Sequence, residues 1–328
     1  MAIKSSAPGN IFFFGEHAAV YGRPAICAAV DRRTTVELKG RSDGKIIVVS
    51  DSFGKGEANI SGNTLSDKQF KEPELATTFD FIEMLIPQLE IKKGFELKIA
   101  SQVPVNSGMS SSTALLSAVF KAVSSSLGKN IPPEKYFDYL YPMQVKVHGG
   151  KASGAEIISS ALGGFNRIQK VESGKETKLD WKHLGSHKFS IVVGNTKVSS
   201  PTSLTVGYHV PSMIARNKKF IFGVFDEIAA VCEKAEDALA KDDATAIGKL
   251  MNKNQELLLS LGLSHPKLDD CISEARRAGA LGAKLSGSGW GGIMFALARK
   301  EDVDKVVAAI KTTGADAFKA EVGGAGVQ

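Results

Sequence analysis

The fold is decided by the stretch Pro104-Val105-Asn106-Ser107-Gly108-Met109-Ser110-Ser111-Ser112-Thr113-Ala114. Before it, apolar and polar residues alternate through Phe95-Glu96-Leu97-Lys98-Ile99-Ala100, a pattern typical of a half-buried β-strand. After it, the apolar run Leu115-Leu116-Ser117-Ala118-Val119-Phe120 indicates a helix. Small residues between a strand and a helix start aim backbone N–H groups at a phosphate, and three successive serine hydroxyls add donors and metal-facing oxygens. The stretch therefore predicts a strand, a phosphate-binding loop and a helix.

The same residues also fit an ordinary turn in which a serine caps the helix N-terminus. They do not form the common P-loop, because no Gly-Lys-Ser/Thr follows at the required spacing. The stretch by itself leaves both interpretations open, and the rest of the chain has to decide between them.

Length and composition indicate a soluble globular protein of one large or two domains. The chain has 328 residues, of which 43% are hydrophobic and 23% charged. Its net charge is +6, and the basic residues are spread along the chain, so we expect no nucleic-acid partner. A positive field around a cleft for an acidic, phosphorylated ligand explains the excess, and so does simple solubility.

The cysteines and the apolar runs indicate a cytoplasmic protein. Cys27, Cys232 and Cys271 have no neighbouring cysteine or histidine at metal-ligand spacing, as expected of reduced core thiols. The N-terminus, Met1-Ala2-Ile3-Lys4-Ser5, lacks the apolar stretch of a signal peptide. The longest apolar runs are far shorter than the roughly 20 residues of a membrane span, so we expect no membrane association.

Hydrophobic periodicity predicts strands and helices along the whole chain. Besides the unit above, the predicted strands are Ile3–Phe14, Thr34–Leu38, Ile46–Ser50, Ser190–Gly194, Ile293–Leu297 and Ala317–Val322. The predicted helices are Pro73–Leu89, one opening at Pro132-Pro133-Glu134, Ser212–Ala240, Ala244–Leu259, Lys267–Ala278 and Val303–Ile310. Gly54 to Lys71 is polar and contains glycine, so we expect a surface excursion there. Glycine-serine loops give way to helices near residue 185, which we take as the boundary between domains of residues 1–185 and 186–328.

Four segments, in this order and spacing, resemble the GHMP small-molecule kinases, and within these most closely the mevalonate kinases of archaea. They are Ala7-Pro8-Gly9-Asn10 through Tyr21-Gly22, the serine stretch, His148 to Gly164, and the glycine cluster Ser286–Gly292. The most specific pieces are Gly15-Glu16-His17-Ala18-Ala19-Val20-Tyr21-Gly22 and Gly282-Ala283-Lys284-Leu285-Ser286-Gly287. Leu250-Met251-Asn252-Lys253-Asn254-Gln255 also resembles that family's second-domain helix.

The resemblance implies an α+β protein of two domains, a ribosomal-S5-like N-terminal domain and a ferredoxin-like α/β C-terminal domain, with ATP and an alcohol bound between them. The residues it implies for the triphosphate are Asn106, Ser107, Gly108, Met109, Ser110, Ser111 and Ser112, together with the backbone of Gly287, Ser288 and Gly289. Ser111 or Ser112 would face Mg²⁺. Those implied for the alcohol are Asn10, Glu16, His17 and Thr202. Simpler roles stay open as well: Glu16 and His17 also fit a satisfied pair at a pocket rim, Thr202 a helix N-cap, and the glycine cluster a bare turn.

The chain departs from the family where the chemistry lies. Asn10 stands where the family usually has a lysine, and Gln144 where it usually has a Mg²⁺-binding glutamate. Glu156 replaces the catalytic aspartate, and the segment from His148 to Ser153 is one residue longer than in relatives. A neutral amide is a poorer ligand for a hard dication than a carboxylate. Trp290 stands where many relatives have glycine, and this difference does little to weaken the resemblance.

These departures shape the expected mechanism. Phosphoryl transfer depends on positioning, charge neutralisation and a group that accepts or orients the hydroxyl proton, a role that Glu156 can fill. Its extra methylene moves the carboxylate by about 1–1.5 Å, and a shift of that size can cost on the order of a hundredfold in rate. The longer loop offsets the shift in this hypothesis, and Lys151 supplies the missing positive charge.

The expected function is ATP-dependent phosphorylation of a small hydroxy acid, with mevalonate converted to its 5-phosphate, in a pathway of isoprenoid synthesis. Two alternatives remain: a GHMP-fold decarboxylase or kinase acting on phosphorylated mevalonate, and a ligand-binding homologue without catalysis. The usual Lys-Tyr-Trp-Gly-Lys motif of the decarboxylases is absent. A dimer is common among relatives, so the resemblance also allows a homodimer.

Overall fold

The computed structural model describes residues 2–104, 108–148, 150, 152–173, 176–199 and 204–328. The strands in chain order are β1 (Ile3–Phe14), β2 (Ala25–Gly40), β3 (Lys45–Ser50), β4 (Gly54–Ser61), β5 (Thr64–Phe70), β6 (Phe95–Ser101), β7 (Phe165–Ser173), β8 (Glu176–Gly185), β9 (Phe189–Asn195), β10 (Gly282–Ser286), β11 (Ile293–Leu297) and β12 (Asp316–Val322).

The α-helices are α1 (Leu75–Leu89), α2 (Ser111–Ser126), α3 (Tyr136–Val147), α4 (Ala155–Leu162), α5 (Val210–Ala240), α6 (Ala244–Ser260), α7 (Pro266–Arg277) and α8 (Val303–Lys311). Short 3₁₀ turns lie at Ala18–Tyr21 and Pro133–Lys135, and a π-helical turn at Thr205–His209 leads into α5. Among the described residues, no helix is both long and apolar enough to cross a lipid bilayer.

The strands are joined into one sheet whose order is β10-β11-β9-β12-β2-β6-β3-β4-β5. β1 and β7 also pair with β2, and β8 pairs with β7. β2 therefore lies at the junction, because it pairs with β1, β6, β7 and β12. One apolar core packs the helices α5–α8 on the C-terminal strands, and a second packs α1–α3 on the N-terminal strands. Both cores include residues of β1 and α2, so these two elements lie where the cores meet.

The strand and the helix predicted on either side of the serine stretch are confirmed as β6 and α2, whereas residues 105–107 lie outside the described residues and phosphate binding by the stretch stays a prediction. The predicted strands and helices elsewhere are also found, with shifted ends; the strand predicted at Thr34–Leu38 is the second half of β2. These elements were recognisable because their apolar residues recur with one clear period, which is how a face toward a core is built.

The segment from Gly54 to Lys71, expected as a surface excursion, does lie at the surface but has regular structure that the sequence did not predict. The segment forms an antiparallel hairpin of β4 and β5, with Ile60 opposite Leu65. Its sequence is polar because the hairpin lies at the sheet edge and only one face is covered, where Phe70 stacks on Phe79 of α1 at 5.4 Å. Position 56 requires glycine, because a Cβ there would come 2.7 Å from the Phe79 ring.

Candidate active site

A cavity of about 650 Å³ lies between the start of α2 and the turn that joins β10 to β11. We call Gly108–Ser112 the serine loop and Ser286–Gly292 the glycine loop; both line the cavity. The loops nearly touch, because a Cβ on Gly108 would lie 3.2 Å from the carbonyl oxygen of Ser286. Gly108 also has a φ of +71°, so glycine is required where the two loops meet.

The serine loop is not an ordinary capped turn. Ser110 precedes α2 with a left-handed φ of 54° and makes no side-chain cap to the helix. Its hydroxyl lies instead 2.9 Å from Asn10 Oδ1 and 3.1 Å from Glu156 Oε1. Ser111 and Ser112, in the first turn of α2, line the cavity. The first turn of a helix attracts anions, and this one faces open space large enough for a phosphate chain.

Glu156 is the carboxylate at the centre of the site. Gly154, with a φ of +78°, turns the chain into α4 and places Glu156 in the first helical turn. Its Oε1 accepts from the Ser110 hydroxyl, and its Oε2 accepts from Nε2 of Gln144. His148 Nε2 lies 3.8 Å from the same Oε2. The side chain is only 15% exposed and still lines the cavity, so it is held rigidly with one edge accessible to a ligand.

Gln144 contributes a neutral amide to this cluster, at the position where the resemblance implies a glutamate. Its Nε2 also lies 3.3 Å from Thr113 Oγ1 of α2. Its Oε1 is buried and has no hydrogen-bond partner among the described residues. The Nε2 amide group therefore ties α3 to α2 and to Glu156 by donating two hydrogen bonds.

Asn10 lies on the buried side of this cluster. A register shift between Pro8 and Asn10 in β1 re-aims the side chain. Asn10 Nδ2 donates to the carbonyl oxygen of Glu156 at 3.0 Å, and its Oδ1 shares the one Ser110 hydroxyl proton with Glu156 Oε1. The residue is fully buried. Asn10 thus fastens the serine loop to α4, where a lysine would have carried charge.

Glu16 forms a buried ion pair with Lys284 of β10. Lys284 Nζ also donates to the carbonyl oxygen of Leu285 at 2.7 Å, and Asn254 Nδ2 lies 3.4 Å from the second Glu16 oxygen. Burial raises the pKa of Glu16 and lowers that of Lys284, while their mutual attraction opposes both shifts. The pair joins the end of β1 to the C-terminal strands, and Glu16 borders the cavity from within the core.

His17 is a buried, neutral imidazole. Its Nε2 lies 3.1 Å from the carbonyl oxygen of Ser288, which can only accept, so Nε2 carries the proton. Its Nδ1 is buried without a partner among the described residues. Burial lowers the pKa of His17 to about 4, although the hydrogen bond to Ser288 opposes the shift. His17 thus links the glycine loop to the first strand and keeps an acceptor nitrogen for a ligand.

This pKa predicts a specific loss of stability in acid. Between pH 6.5 and 4 the unfolded chain binds a proton on His17 that the folded chain excludes, so the free energy of unfolding falls as the pH falls. The difference amounts to about 3 kcal/mol, at about 1.4 kcal/mol per pH unit. Urea unfolding at pH 7 and pH 4 should show a smaller pH effect in His17→Gln than in the wild type. Equal losses in the two proteins would contradict the assignment.

The glycine loop is anchored by its one bulky residue. Trp290 has a φ of +60°, and its indole Nε1 donates to the carbonyl oxygen of Gly262 at 2.7 Å. Its ring lies 4.8 Å from that of His209 in the π-helical turn. Gly287, Ser288 and Gly289 line the cavity, whereas Trp290 lies behind the loop.

Several predicted site residues fall outside the described residues, namely Asn106, Ser107, Lys151 and Thr202. The others are brought together around the cavity, except that Met109 is fully buried and Asn10 lies beneath the surface. Sequence reasoning gave no role to Lys284 and Asn254, which hold Glu16. Both lie within the segments that carry the resemblance, and that position was the signal that could have found them.

The cavity lining carries an unusual charge pattern. Within the described parts of the chain, its titratable side chains are carboxylates and histidines, including Glu74, Glu156 and His148, and no lysine or arginine lines it. Phosphate groups at the serine loop would therefore rely on backbone N–H groups, hydroxyls, a bound cation, or a lysine from residue 151.

Two family models match the chain: "GHMP kinases N terminal domain" over residues 76–164 and "GHMP kinases C terminal" over residues 235–316. The mevalonate kinase of Pyrococcus furiosus is 33% identical over 347 aligned positions, which cover all of this chain and 98% of the relative. The mevalonate kinase of Thermococcus sibiricus is 33% identical over 96% of this chain and 94% of its own length.

Solved structures share the fold. The L. major mevalonate kinase in complex with R-mevalonate has a TM-score of 0.80 at 24% identity and covers 98% of this chain and 95% of its own. Lactococcus lactis galactokinase complexed with galactose also has a TM-score of 0.80, at 22% identity, and covers 100% of this chain and 95% of its own. The N- and C-terminal models flank the cavity, and the archaeal relatives match along the whole length, so this chain belongs to the GHMP kinase family.

Proposed function

We propose that the protein transfers the terminal phosphate of ATP to the hydroxyl of a small hydroxy acid, and that mevalonate is that acid. The observation that carries the proposal is the position of Glu156, whose carboxylate faces the cavity while Ser110 and Gln144 hold it beside the start of α2. In phosphoryl transfer to an alcohol, the helix start binds the phosphates and the carboxylate accepts or orients the proton of the hydroxyl. The printed names of the archaeal relatives support mevalonate as the alcohol.

In this proposal the triphosphate lies against the stretch from Asn106 to Ser112 and against Gly287, Ser288 and Gly289. The resemblance assigns the alcohol to His17, which borders the same cavity, and to Thr202, which lies outside the described residues. The free Nδ1 of His17 accepts a hydrogen bond from the substrate. Glu16 and Asn10 act from within the core, because both side chains are buried and engaged with protein partners.

The oxygen donors present suit Mg²⁺. They are the Glu156 carboxylate and the hydroxyls of Ser111 and Ser112, all of which line the cavity. Mg²⁺ prefers oxygen ligands and is commonly held by one or two carboxylates together with substrate phosphates. When bound there, the ion would neutralise charge on the phosphate oxygens. The single carboxylate makes the protein's own hold on the ion weak without nucleotide.

Glu156 accepts or orients the hydroxyl proton of the alcohol. The Ser110 and Gln144 hydrogen bonds fix the carboxylate in one rotamer, so it does not have to be ordered at the moment of reaction. Asn10 fixes the backbone of the same residue through the carbonyl oxygen. These contacts offset the effect of the extra methylene, because the longer side chain reaches Ser110, just before α2, and Gln144 on α3.

Lys151 is proposed as the cation of the site. Ala152 and Ser153, which follow it, line the cavity, and no lysine or arginine does so among the described residues. Lys151→Ala is expected to lower kcat by about a hundredfold, the usual cost of one preorganised donor to the transferred group. Lys146→Ala, which removes an exposed lysine paired with Asp80, is the matched control and should leave kcat unchanged. Unchanged turnover in Lys151→Ala would exclude this role.

The described lining of the cavity has no lysine or arginine, and this affects the choice between mevalonate and its phosphates as the substrate. A phosphorylated mevalonate would add negative charge to a lining that already contains Glu74 and Glu156. We therefore place unphosphorylated mevalonate ahead of its phosphates.

A coupled assay of ADP release across mevalonate, its phosphates, homoserine and galactose tests the function. Release of ADP with mevalonate and without CO₂ supports the proposal. Release of CO₂ from a phosphorylated mevalonate would replace it by decarboxylation. Thermal stabilisation by ATP without any turnover would instead indicate a binding protein.

We also propose a cytoplasmic location and a domain division at residue 185. The three cysteines are free and buried, as reduced thiols are. The two family models lie on either side of that residue.

A further inference from the structure

The glycine loop contains a residue whose backbone is unfavourable and whose side chain does not face the cavity. Trp290 adopts a φ of +60°, a left-handed conformation that a bulky residue rarely takes. Such a residue persists only where its surroundings hold it, and strained positions of this kind cluster at functional sites. The contacts of Trp290 should therefore show what its conformation serves.

Three consecutive carbonyl groups, at residues 261–263, receive the donors of Trp290 and its neighbour. His209 Nε2 donates to the Leu261 oxygen at 3.1 Å. The indole of Trp290 donates to the Gly262 oxygen at 2.7 Å, and its backbone N–H donates to the Leu263 oxygen at 3.0 Å. The two rings lie 4.8 Å apart, which completes the contact between the glycine loop and the π-helical turn.

The loop is also held at two other places, because His17 Nε2 lies 3.1 Å from the Ser288 oxygen and the Gly292 N–H donates to the Val198 oxygen at 2.9 Å, and Trp290 lies between these two contacts. Gly287, Gly289, Gly291 and Gly292 all have positive φ values, and a glycine-rich segment loses much conformational entropy when a ligand fixes it. A loop that is fixed before binding avoids this cost, so its ligand binds more tightly. The aromatic side chain, with one hydrogen bond and one ring contact, fixes the loop on the side away from the cavity.

We propose that Trp290 is a positioning residue that holds the glycine loop ready for the phosphates of the nucleotide. The inference rests on the proposed function, since it assumes that phosphates lie against this loop. Trp290 touches neither substrate nor reacting atoms in this role. It acts through the backbone of Gly289 and Gly291, its chain neighbours, which line the cavity.

Calorimetric affinity for a non-hydrolysable ATP analogue with Mg²⁺ tests the inference without requiring turnover. Trp290→Gly should weaken binding about tenfold, the loss expected from one hydrogen bond and one ring contact. Trp290→Phe keeps a ring on His209 and loses only the indole donor, so its affinity should fall about threefold. Glycine accepts the left-handed backbone, so Trp290→Gly should still fold, and far-UV circular dichroism checks this.

Trp181→Phe is the matched control, because Trp181 lies in β8 away from the cavity and is the other of the two tryptophans in the chain. Its affinity should equal that of the wild type, and the emission of the remaining Trp290 should change little when the nucleotide analogue is added, because the loop is already fixed before binding. In the kinase assay, Trp290→Gly should raise the KM for ATP about tenfold and leave kcat within about twofold.

Two results would overturn the role of Trp290. One is an affinity of folded Trp290→Gly within about twofold of the wild type, which is less than one hydrogen bond contributes. The other is a large change of Trp290 emission on adding the nucleotide, which would mean that binding and not Trp290 orders the loop. Absence of turnover in the wild-type protein with every alcohol would instead remove the proposed kinase. The calorimetric result would still decide whether Trp290 positions the loop.

Discussion

Glu156→Gln is expected to reduce turnover with ATP and mevalonate by about a thousandfold, within the range that proton-transfer groups contribute. Glutamine has nearly the same shape, and its amide oxygen can still accept from Ser110 or Gln144, so the site should keep its form. What is lost is the negative charge and the ability to take the hydroxyl proton. Because the serine and glycine loops keep their places in this variant, affinity for ATP measured without Mg²⁺ should change little. Steady-state kinetics and calorimetry measure the two effects separately.

Asp138→Asn is the matched control for this substitution. It makes the same change of carboxylate to amide on α3, at an exposed residue that does not line the cavity. Its turnover should equal that of the wild type. Wild-type turnover in Glu156→Gln would remove this residue from the mechanism.

Glu156→Asp separates charge from reach. Aspartate keeps the negative charge but is too short to meet both Ser110 and Gln144, whose hydrogen bonds fix the longer side chain. Turnover should fall by about a hundredfold, because a displacement near 1 Å at a reacting group has a cost of that order. Turnover equal to or above that of the wild type would mean that the contacts of Glu156 do not position it.

Lys284→Met is expected to lower the free energy of unfolding by about 3–5 kcal/mol, the cost of leaving one charge of a buried pair without its partner. Glu16 would remain in the core, where Asn254 at 3.4 Å is its remaining side-chain donor among the described residues. Lys284 is fully buried and also lies over the Phe295 ring, so methionine retains part of the packing. Urea unfolding at pH 7 measures the change.

The exposed pair of Lys188 and Glu321 provides the control. Its N–O distance is 2.9 Å, but the lysine side chain is 65% exposed, so Lys188→Met should cost at most about 1 kcal/mol. In the double variant Glu16→Leu, Lys284→Met, most of the lost stability should return, because no buried charge is left alone. A loss from Lys284→Met no larger than that from Lys188→Met would show that the pair does not hold the C-terminal strands to β1.

The order of elements could be predicted from the sequence where residues recur with a clear period. β6, α2 and the long helix α5 were recognisable because one face of each is apolar. The β4–β5 hairpin was not, since an edge hairpin covered on one face has a weak pattern. The sequence also marked the serine stretch and the glycine cluster as candidate site segments, and the structure brings their described residues to one cavity; phosphate binding there stays a prediction.

The sequence by itself determined the family, and it marked the serine stretch, the glycine cluster and the acid at position 156 as candidate site residues, since motifs of that kind depend on residue type and local spacing. Only the tertiary structure decided what each acid contacts. Glu156 is fastened by Asn10, 146 positions away, and Glu16 is paired with Lys284, 268 positions away. Contacts across such distances depend on how the strands are ordered and on which side chains the two cores exclude from water. That is why the sequence, which placed Glu16 against the substrate, did not reveal its anchor inside the core, and why the partners of Trp290 behind the glycine loop were equally hidden.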